Sequence, residues 1–457
     1  MAHYFVEFTY LFASIFFILG LKGLSHPDTA RRGMHLAEIG MLLAIIGTLL
    51  KQEIVSPQGI IIGLVVGGAI GGVLAQRVAM TALPQLTALS HAFGALAATL
   101  VGIAEYARHG ADIKVPTMIA LGIEVLLGAL TTTGSVVAAA KLQELMRGQP
   151  ITFKGQNYVN LSILAVSLGA LVFLLFSPGT AFAFYLMLAL SLVFGLMLVL
   201  PIAAADMPVV MSLLNAYAGL AATATGFAIN NNVLIIAGTL NGFSGFILSV
   251  LMCRAMNRSI TNVMFGAFGS VSETSTTGTA SEMREINLED VATQLAYARQ
   301  VVFVPGYGMA TAQAQHVVRE LGDALEERGV TVKYAIHPVA GRMPGHMNVL
   351  LAEADVPYSQ LYELEQINPD FPNTDVAVVI GANDVVNPDA RDNPKSPIAG
   401  MPILDVDRAR SVIVLKRGKG RGFSGIENPL FFMQNTGMLY GDAKASLGRL
   451  VQAVAQA

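Results

Sequence analysis

The run Val301-Val-Phe-Val-Pro-Gly306-Tyr-Gly308-Met-Ala-Thr311 contains the change of pattern that decides the fold of the C-terminal part of the chain. Its apolar start is typical of a buried strand, which breaks at the glycines, and we predict a helix from there to about Arg328. Strand, glycine turn and helix in this order are typical of a dinucleotide-binding fold. In such a fold Gly306 would allow the sharp turn, and Gly308 would let the backbone approach a pyrophosphate at the amide end of the helix. Because the third fingerprint position is Thr311 instead of glycine, the motif alone leaves an ordinary strand-to-helix turn open.

The next predicted strands indicate which dinucleotide would bind. The strand from Thr331 to Ile336 ends in His337-Pro338, where an NAD site would usually carry an acid for the ribose 2′-hydroxyl. The strand from Ser411 to Leu415 is followed by four cations in six residues, which are Lys416, Arg417, Lys419 and Arg421. A bound 2′-phosphate would explain both the missing acid and the added bases. A solvated basic turn is the alternative, but beside a glycine turn this cluster favours NADP(H).

Two further glycine-rich loops carry polar side chains. One follows His337 and contains Arg342; the other leaves a buried strand at Gly381 and contains Asn383 and Asp384. Loops at the carboxyl ends of parallel strands line the ligand crevice of such sheets. Arg342 could therefore neutralise phosphate, and Asn383 and Asp384 could hold a ribose or a carboxamide, although Asp384 could also be only a helix cap.

Composition separates this part of the chain from the rest. Of 457 residues, 54% are hydrophobic and only 13% are charged, which indicates that lipid is part of the solvent. The net charge of −3 suggests neither nucleic acid nor a polybasic membrane anchor. The single cysteine, Cys253, excludes an internal disulfide, and no signal-peptide cleavage site is evident.

Apolar runs long enough to cross a bilayer recur about nine times before Arg258. We predict spans near residues 4–24, 35–51, 55–76, 83–107, 115–140, 159–176, 180–204, 207–228 and 232–255. Basic residues concentrate in the loops after the odd-numbered spans, among them Arg31, Arg32 and Lys141. By the positive-inside rule the N-terminus faces outward and the C-terminal part lies in the cytoplasm.

Four polar residues in or beside these spans stand out because a polar group in hydrocarbon is costly unless it is paired or hydrated: His91, Glu124, Asp206 and Asn215. His91 and Asn215 each lie eight residues into a span that starts inside, so the two could share a hydrogen bond. We interpret His91 as a proton-exchanging group, with a plain helix-to-helix hydrogen bond as the alternative. For Asp206, an N-cap before Met207-Pro208 is the first interpretation.

Ten of the thirteen residues from Gly269 to Ser281 are Ser, Thr or Gly, which is typical of a flexible tether. We therefore predict a transmembrane proton-translocating domain over 1–258, a linker over 259–287 and an NADP(H)-binding domain over 288–457. The predicted fold class is a multi-span α-helical membrane bundle of about nine helices plus a cytoplasmic α/β Rossmann-like domain with a parallel sheet.

Several longer stretches are similar to one known family, the beta subunits of proton-translocating NAD(P) transhydrogenase. The stretches that carry the resemblance are GYGMA with Gln313-Ala-Gln315, HPVAGRMPGHMNVLLAEA from His337, VIGANDVVNP from Val379, KSPIAGMP from Lys395, Lys416-Arg417, NPLFF from Asn428, GDAKAS from Gly441, and in the membrane half ADMPVV from Ala205, Asn215 and Met256-Asn-Arg258. Together they extend over nearly the whole chain.

The resemblance implies a function for each matching position. It implies a proton path that includes His91 and Asn215, a coupling role for Asp206, and a place for Asp384 among the nucleotide loops. The implied NADP(H) contacts are Gly306, Tyr307, Gly308, Met309, Ala310, Val339, Ala340, Gly341, Arg342, Gly345, Gly381, Ala382, Asn383, Asp384, Lys416, Arg417, Gly422, Phe423, Asp442 and Ala443. Two positions depart from the family pattern: Phe423, where a tyrosine is expected, and Thr311, where small apolar residues are more usual.

The implied activity is direct hydride transfer from NADH to NADP⁺, coupled to inward proton passage, without flavin or metal. NAD(H) would lie on a partner alpha subunit, in a dimer of alpha-beta units in the bacterial inner membrane. Two other classes stay open: an NADP-sensing transporter or channel without redox turnover, and a membrane-tethered reductase that passes electrons to quinone. For the second of these, the single cysteine excludes an iron-sulfur cluster.

Overall fold

A computed structural model describes residues 2–50, 57–147, 150–203, 206–257, 260, 283–394, 396, 398–418 and 426–456. The chain divides into two compact units. One comprises Met1–Ile202 with Val210–Leu248, and the other comprises Ala203–Val209 with Ser249–Ala457.

Within the described residues, nine helices are long and apolar enough to cross a membrane. They are α1 Ala2–Gly23, α2 Pro27–Leu49, α3 Pro57–Arg77, α4 Leu83–His109, α5 Val115–Leu142, α6 Gln156–Phe176, α7 Ala181–Val199, α8 Met207–Ala228 and α9 Asn232–Ala255. This confirms the predicted number of spans, and α4, α5, α8 and α9 begin at the predicted residues.

Two predicted boundaries in this half were wrong. Helix α2 begins at Pro27, eight residues before the predicted start, so Arg31 and Arg32 belong to the helix and not to a loop. A proline in the first turn is a favourable helix start, because its missing N–H has no partner there in any case. Lys141 also belongs to a helix: it lies in the last turn of α5 and is buried.

Glycines allow several of these helices to pack closely. A Cβ on Gly219 of α8 would lie within 3.0 Å of the backbone of Gly242 on α9, and a Cβ on Gly195 of α7 would meet the Leu130 carbonyl of α5. Small residues at such contacts let the backbones approach, which is how helices associate where lipid removes the hydrophobic driving force.

The second unit contains a six-stranded parallel sheet in the order β3-β2-β1-β4-β5-β6. The strands are β1 Gln300–Pro305, β2 Thr331–Ile336, β3 Leu361–Glu363, β4 Val376–Ile380, β5 Ser411–Lys416 and β6 Thr436–Tyr440. This is the doubly wound order, in which successive strands are added towards one edge of the sheet from β1 to β3 and towards the other edge from β4 to β6. The predicted Rossmann-like parallel sheet is confirmed.

Helices and loops cover both faces of this sheet. The helices are α10 Leu288–Ala296, α11 Tyr307–Thr311, α12 Gln315–Glu326, α13 His346–Glu353, α14 Leu364–Ile367, α15 Asp389–Asp392 and α16 Ala443–Gln456. One buried cluster joins α10, α12, α13 and α16 to alternate residues of the strands, and a second cluster lies on the opposite face. Strands buried on both faces explain the continuous apolar runs of β1, β4 and β5.

The helix expected after the glycine turn is interrupted. Helix α11 ends at Thr311, Gln313 adopts a left-handed φ of +48°, and α12 begins only at Gln315. A continuous helix to Arg328 was therefore wrong. A five-residue helix also aligns few peptide dipoles, so the expected attraction of its amide end for a pyrophosphate is weak.

The end of the predicted linker belongs to the edge of the sheet. Glu285 forms a parallel bridge with Met438, the amide of Ile286 donates to the Met438 carbonyl at 3.1 Å, and Met438 N donates to the Arg284 carbonyl at 2.8 Å. The serine- and threonine-rich tether, Gly269 to Ser281, lies outside the described residues.

Candidate nucleotide site and membrane polar groups

The loops after β1 and β4 meet where the strand order reverses. The amide of Gly306 donates to the Ile380 carbonyl at 2.9 Å, and the amide of Gly308 donates to the Gly381 carbonyl at 2.9 Å. In open parallel sheets the crevice for a ligand lies at this point, outside the carboxyl ends of the strands. Two of the predicted loops are therefore joined by backbone hydrogen bonds.

Close backbone packing, and not a left-handed backbone conformation, explains why positions 306 and 308 are glycines. Gly306 has an extended backbone, with φ −130° and ψ −175°, so the sharp turn expected there is not what selects glycine. A Cβ on Gly306 would lie within 3.0 Å of the backbone of Ala382, and a Cβ on Gly308 would lie 2.6 Å from Gly381 Cα. Gly381 itself has a φ of +64°, which favours glycine. The missing side chains thus make room for the facing loop.

Lys416 and Arg417 are supported by different neighbours. Lys416 is the last residue of β5; its ammonium lies 4.7 Å from the centre of the Phe431 ring, and partial burial lowers the pKa of the amine. The exposed Arg417 donates from Nη2 to the hydroxyl of Thr311 at 3.2 Å. The pair predicted from β5 is thus connected to α11, which follows the first glycine turn.

Arg342 reaches the same turn from the loop after β2. Its guanidinium carbon lies 4.2 Å from the centre of the Tyr307 ring, and the residue is only 6% exposed. Its backbone amide donates to Nδ1 of His346 at 3.0 Å, and Gly341, with φ +105°, has no room for a Cβ beside that imidazole. Burial, and next the charge of Arg342, lower the pKa of His346 to about 4.

A second buried histidine holds the beginning of this loop. His337 Nε2 lies 2.8 Å from the Pro402 carbonyl, and its Nδ1 accepts from the Val339 amide at 3.2 Å. These partners assign the neutral tautomer with the proton on Nε2. Burial lowers the pKa of His337 to about 4. Ala340 is buried and Gly345 precedes α13 with φ +69°, so the predicted loop residues form one ordered segment.

The loop after β4 is held by Asn428, which motif reasoning did not assign a function. Asn428 Nδ2 donates to the Asn383 carbonyl at 3.0 Å, and Asn383 Nδ2 donates to Asp384 Oδ1 at 3.1 Å. Ala382 is buried beside them. Because Asn428 is 1% exposed, its amide fixes the backbone that presents Asn383 and Asp384.

The Asp442 carboxylate has a structural partner. It accepts from the amide of Ala445 at 3.0 Å, which is the contact of an N-cap residue at the start of α16. Ala443 is the first, buried residue of that helix. The amide of Gly441 donates to the Lys416 carbonyl at 3.0 Å, so this loop also borders β5. Gly422 and Phe423 lie outside the described residues.

The donor set suits a dinucleotide with an extra phosphate. Arg342 contacts Tyr307 and Arg417 contacts Thr311, which places two cations from different loops at α11. Since His346 Nδ1 accepts a hydrogen bond, its fully buried Nε2 carries the proton, and it has no hydrogen-bond partner among the described residues. The two convergent cations are what an anionic ligand needs. In the same residues no cluster of three or more His, Cys, Asp or Glu could hold a metal ion.

In the membrane half the expected hydrogen bond between His91 and Asn215 is absent. Asn215 Oδ1 accepts instead from Asn241 Nδ2 on α9, at 3.1 Å. Within the described residues, His91 Nδ1 has no hydrogen-bond partner. The two residues do lie eight positions into α4 and α8 as predicted. Depth along a helix is set by sequence, but the facing neighbour depends on helix rotation, which the spacing did not predict.

Glu124 is fully buried in α5. A Cβ built on Gly102 of α4 would lie 3.4 Å from Glu124 Oε1, which shows that the carboxyl group packs against α4. Asp206 is half-buried and immediately precedes α8, at the position predicted for a cap. Its predicted coupling function is not tested by this position.

Lys141, in the last turn of α5, makes three hydrogen bonds to backbone carbonyls. Its ammonium donates to the carbonyls of Val199, Leu200 and Ile202 at 3.2, 2.5 and 2.7 Å, and the residue is 1% exposed. These carbonyls belong to the last residue of α7 and to the turn that follows it, where a positive charge complements the helix dipole. All three ammonium hydrogens therefore have acceptors.

Comparison with known proteins agrees with this geometry. The family described as "NAD(P) transhydrogenase beta subunit" matches residues 6–453. Two proteins named NAD(P) transhydrogenase subunit beta, from Rhodospirillum rubrum and from its strain ATCC 11170, are each 47% identical over 464 residues. Each alignment covers 99% of this chain and 100% of the relative.

Proposed function

Because the chain belongs to the family of NAD(P) transhydrogenase beta subunits, we propose that it binds NADP(H) at the β1–β4 crevice and couples hydride transfer to proton passage. The observation that carries the proposal is the convergence on one helix: Arg342 contacts Tyr307, and Arg417 contacts Thr311, at the two ends of α11. Nicotinamide nucleotide binding follows from the family itself; the choice of NADP(H) for this chain is the step we add.

The choice of NADP(H) rests on charge. Position 337, after β2, is a neutral buried histidine held by Pro402 and not an acid, so it offers no carboxylate to a ribose 2′-hydroxyl. Lys416 and Arg417 at the end of β5 supply two cations that suit a 2′-phosphate. We therefore assign the glycine turn to the pyrophosphate and this pair to the 2′-phosphate, with Arg342, Asn383 and Asp384 around the remainder of the nucleotide.

The reaction needs a second nucleotide site. NADP⁺ held at the β1–β4 crevice would accept a hydride from NADH, so that NADPH and NAD⁺ would be the products. The chain's own residues bind and orient, and orientation alone lowers the barrier substantially. The subunit name implies an alpha partner, and we propose that this partner holds NAD(H) and that two alpha-beta units form a dimer.

Nine helices among the described residues are long and apolar enough to cross a membrane, which indicates a membrane protein. We propose an inner-membrane location, with the N-terminus outside and the nucleotide domain in the cytoplasm. The domain boundaries we propose are 1–258 for the proton-translocating part, 259–287 for the linker, whose last residues pair with the sheet edge, and 288–457 for the nucleotide part. His91, Asn215 and Asp206 are our candidates for the proton path, and Asp384 is our candidate for the nucleotide end of the coupling. Coupling must be reciprocal, so bound NADP(H) would also change the proton affinity of the path.

One experiment tests the proposal directly. Membranes that contain this chain are mixed with a transhydrogenase alpha subunit and NADH, and reduction of an NADP⁺ analogue is followed while vesicle acidification is recorded. We expect reduction of the NADP⁺ analogue together with proton movement into or out of the vesicle lumen. The double variant Lys416→Ala/Arg417→Ala should lose both the reduction and the proton movement. The same membranes without the partner should show no turnover.

The alternative function is an NADP-sensing transporter without redox chemistry. It needs only one dinucleotide crevice, and the described part of the chain has one crevice of this kind, at the β1–β4 reversal. NADP-dependent ion flux in the absence of any hydride transfer, with every partner tried, would favour this alternative.

A further inference from the structure

The hydroxyl of Thr311 links Arg417 to the glycine turn. Arg417 Nη2 donates to Thr311 Oγ1 at 3.2 Å, and Thr311 Oγ1 donates to the Gly308 carbonyl at 3.0 Å. A hydroxyl has one hydrogen and two lone pairs, so a single orientation serves both bonds. The three groups form a directional chain in which each bond polarises the next.

We propose that Thr311 is a positioning residue that holds Arg417 in place for a 2′-phosphate and so contributes to the preference for NADP(H) over NAD(H). The inference rests on the proposed function, because it requires that Arg417 meets the 2′-phosphate. It gives a function to a position at which the chain departs from the glycine of the dinucleotide fingerprint.

The physical reason lies in the length and exposure of Arg417. An exposed arginine side chain has many rotamers, and ordering it when a ligand binds costs affinity. An anchor that restricts the side chain before binding removes part of that cost. The guanidinium has five N–H donors. Thr311 occupies one of them, and the others stay available for a bidentate contact with phosphate.

Lys416 has a separate support. Its ammonium lies over the Phe431 ring, 4.7 Å from the centre, and no hydrogen bond connects it to Thr311. Loss of the Thr311 hydroxyl should therefore loosen one of the two cations and leave the other in place. We expect a partial loss of 2′-phosphate selectivity.

A purely local function for the hydroxyl predicts a different outcome. Exposed threonines in helices often bond a carbonyl of the preceding turn, as Thr293 bonds the Glu289 carbonyl at 2.9 Å in α10. If Thr311 only made such a bond to Gly308, its removal would change the affinities for NADP⁺ and NAD⁺ by the same factor. Thr293→Val is therefore the matched control, because it removes a hydroxyl of this kind away from the crevice.

The test uses the full chain in detergent and displacement of bound NADPH, followed by its fluorescence, to obtain Kd for NADP⁺ and for NAD⁺. The variants are Thr311→Val, Thr311→Ala, Thr311→Ser, Thr293→Val and Arg417→Ala, with Thr311→Val also in the Arg417→Ala background. The quantity compared is the ratio of the two Kd values, which a general folding defect would not change.

We expect Thr311→Val and Thr311→Ala to reduce the preference for NADP⁺ about 3- to 10-fold, the fold-change that corresponds to the net free energy of a typical intramolecular hydrogen bond. Thr311→Ser and Thr293→Val should keep the ratio within twofold of the unmodified chain. In the Arg417→Ala background Thr311→Val should have no further effect. An unchanged ratio in Thr311→Val, or an equal reduction with and without Arg417, would overturn the inference. If the unmodified chain showed no preference for NADP⁺, the proposed function itself would fail.

Discussion

Gly308 and Gly381 lie backbone to backbone: the Gly308 amide donates to the Gly381 carbonyl at 2.9 Å, and a Cβ on either residue would come within 3.0 Å of the other's Cα. The two residues belong to loops that are more than seventy positions apart in the chain. Their contact brings the glycine turn after β1 against the loop that carries Asn383 and Asp384.

The first prediction concerns this contact. Gly381→Ala should destabilise the parallel-sheet domain by about 2–4 kcal/mol, because it adds overpacking to a left-handed backbone conformation. Hydrogen exchange of the β1 amides in the full chain measures the effect. Gly448→Ala in α16 is the control, since nothing lies within 4 Å of its Cβ position. Equal exchange in the two variants would contradict the prediction.

Acid should destabilise the parallel-sheet domain through its two buried histidines, His337 and His346. The pKa of His337 and that of His346 fall from 6.5 to about 4 on folding, so between these values the unfolded chain binds more protons. Domain stability should therefore be complete above pH 6.5 and decline as the pH falls towards 4. Each histidine should contribute a loss of about 2 kcal/mol at pH 5.

The loss is measured as the difference in amide hydrogen exchange between pH 7 and pH 5. The same difference is measured in the unmodified chain and in two histidine variants. His337→Gln, which keeps a side-chain donor, should reduce the acid sensitivity. His316→Gln, which changes an exposed histidine of α12, should leave it unchanged. If both variants kept the full acid response, burial of His337 would not be its source.

The third prediction concerns Lys141. Lys141→Met should destabilise the membrane half by roughly 2–3 kcal/mol, because three buried carbonyls at the end of α7 lose their donor. The fraction of monodisperse protein that survives heating in detergent measures the loss. Lys114→Met, at the exposed start of α5, should have little effect. A Lys141→Met protein as heat-resistant as the original would show that these contacts are dispensable.

The fourth prediction concerns the polar residues of the spans. Asn241→Leu removes the donor to Asn215 Oδ1 and should lower proton-coupled turnover about 5-fold, as loss of one hydrogen bond of about 1 kcal/mol would. Thr239→Val, which removes another α8–α9 contact, to Thr223, is the control. In double-mutant cycles Asn215 should couple more strongly to Asn241 than to His91. A stronger coupling of Asn215 to His91 than to Asn241 would contradict this prediction and would support the predicted hydrogen bond between His91 and Asn215.

The fifth prediction separates two functions of Asp442. If its carboxylate mainly caps α16, Asp442→Ser should keep domain stability and NADP⁺ affinity, since serine also caps well, whereas Asp442→Ala should cost about 1 kcal/mol of stability. Binding measurements on both variants decide the matter. A large loss of affinity in Asp442→Ser would mean that the charge itself faces the nucleotide.

The elements of the fold were largely predictable from local pattern. Apolar run length predicted the nine spans, and short apolar stretches predicted β1, β2 and β5 to within about one residue at each end and the end of β4 before Gly381. Both signals are local, because lipid or the protein core surrounds each span or buried strand along its whole length and therefore selects apolar residues throughout it. The start of α2 and the break after α11 were missed because a proline and a left-handed Gln313 shift helix ends without changing hydropathy.

The supports of the candidate site could not be predicted in this way. Asn428 holds the Asn383 loop from forty-five positions away, and Arg417 meets Thr311 from 106 positions away. Sequence spacing identifies neither of these pairs, because each contact forms only when strands from distant parts of the chain lie side by side.

The amino-acid sequence alone thus determined that this chain has a lipid-embedded half and a parallel-sheet half, with glycine-rich loops after β1 and β4. Only the tertiary structure decided which side chains meet between these loops, that Asn241 and not His91 pairs with Asn215, and that the buried Lys141 of α5 contacts carbonyls at the end of α7. The reason is that hydropathy and turn preference act over a few neighbouring residues, whereas a hydrogen bond between elements depends on strand order and helix rotation, which the whole packed chain sets.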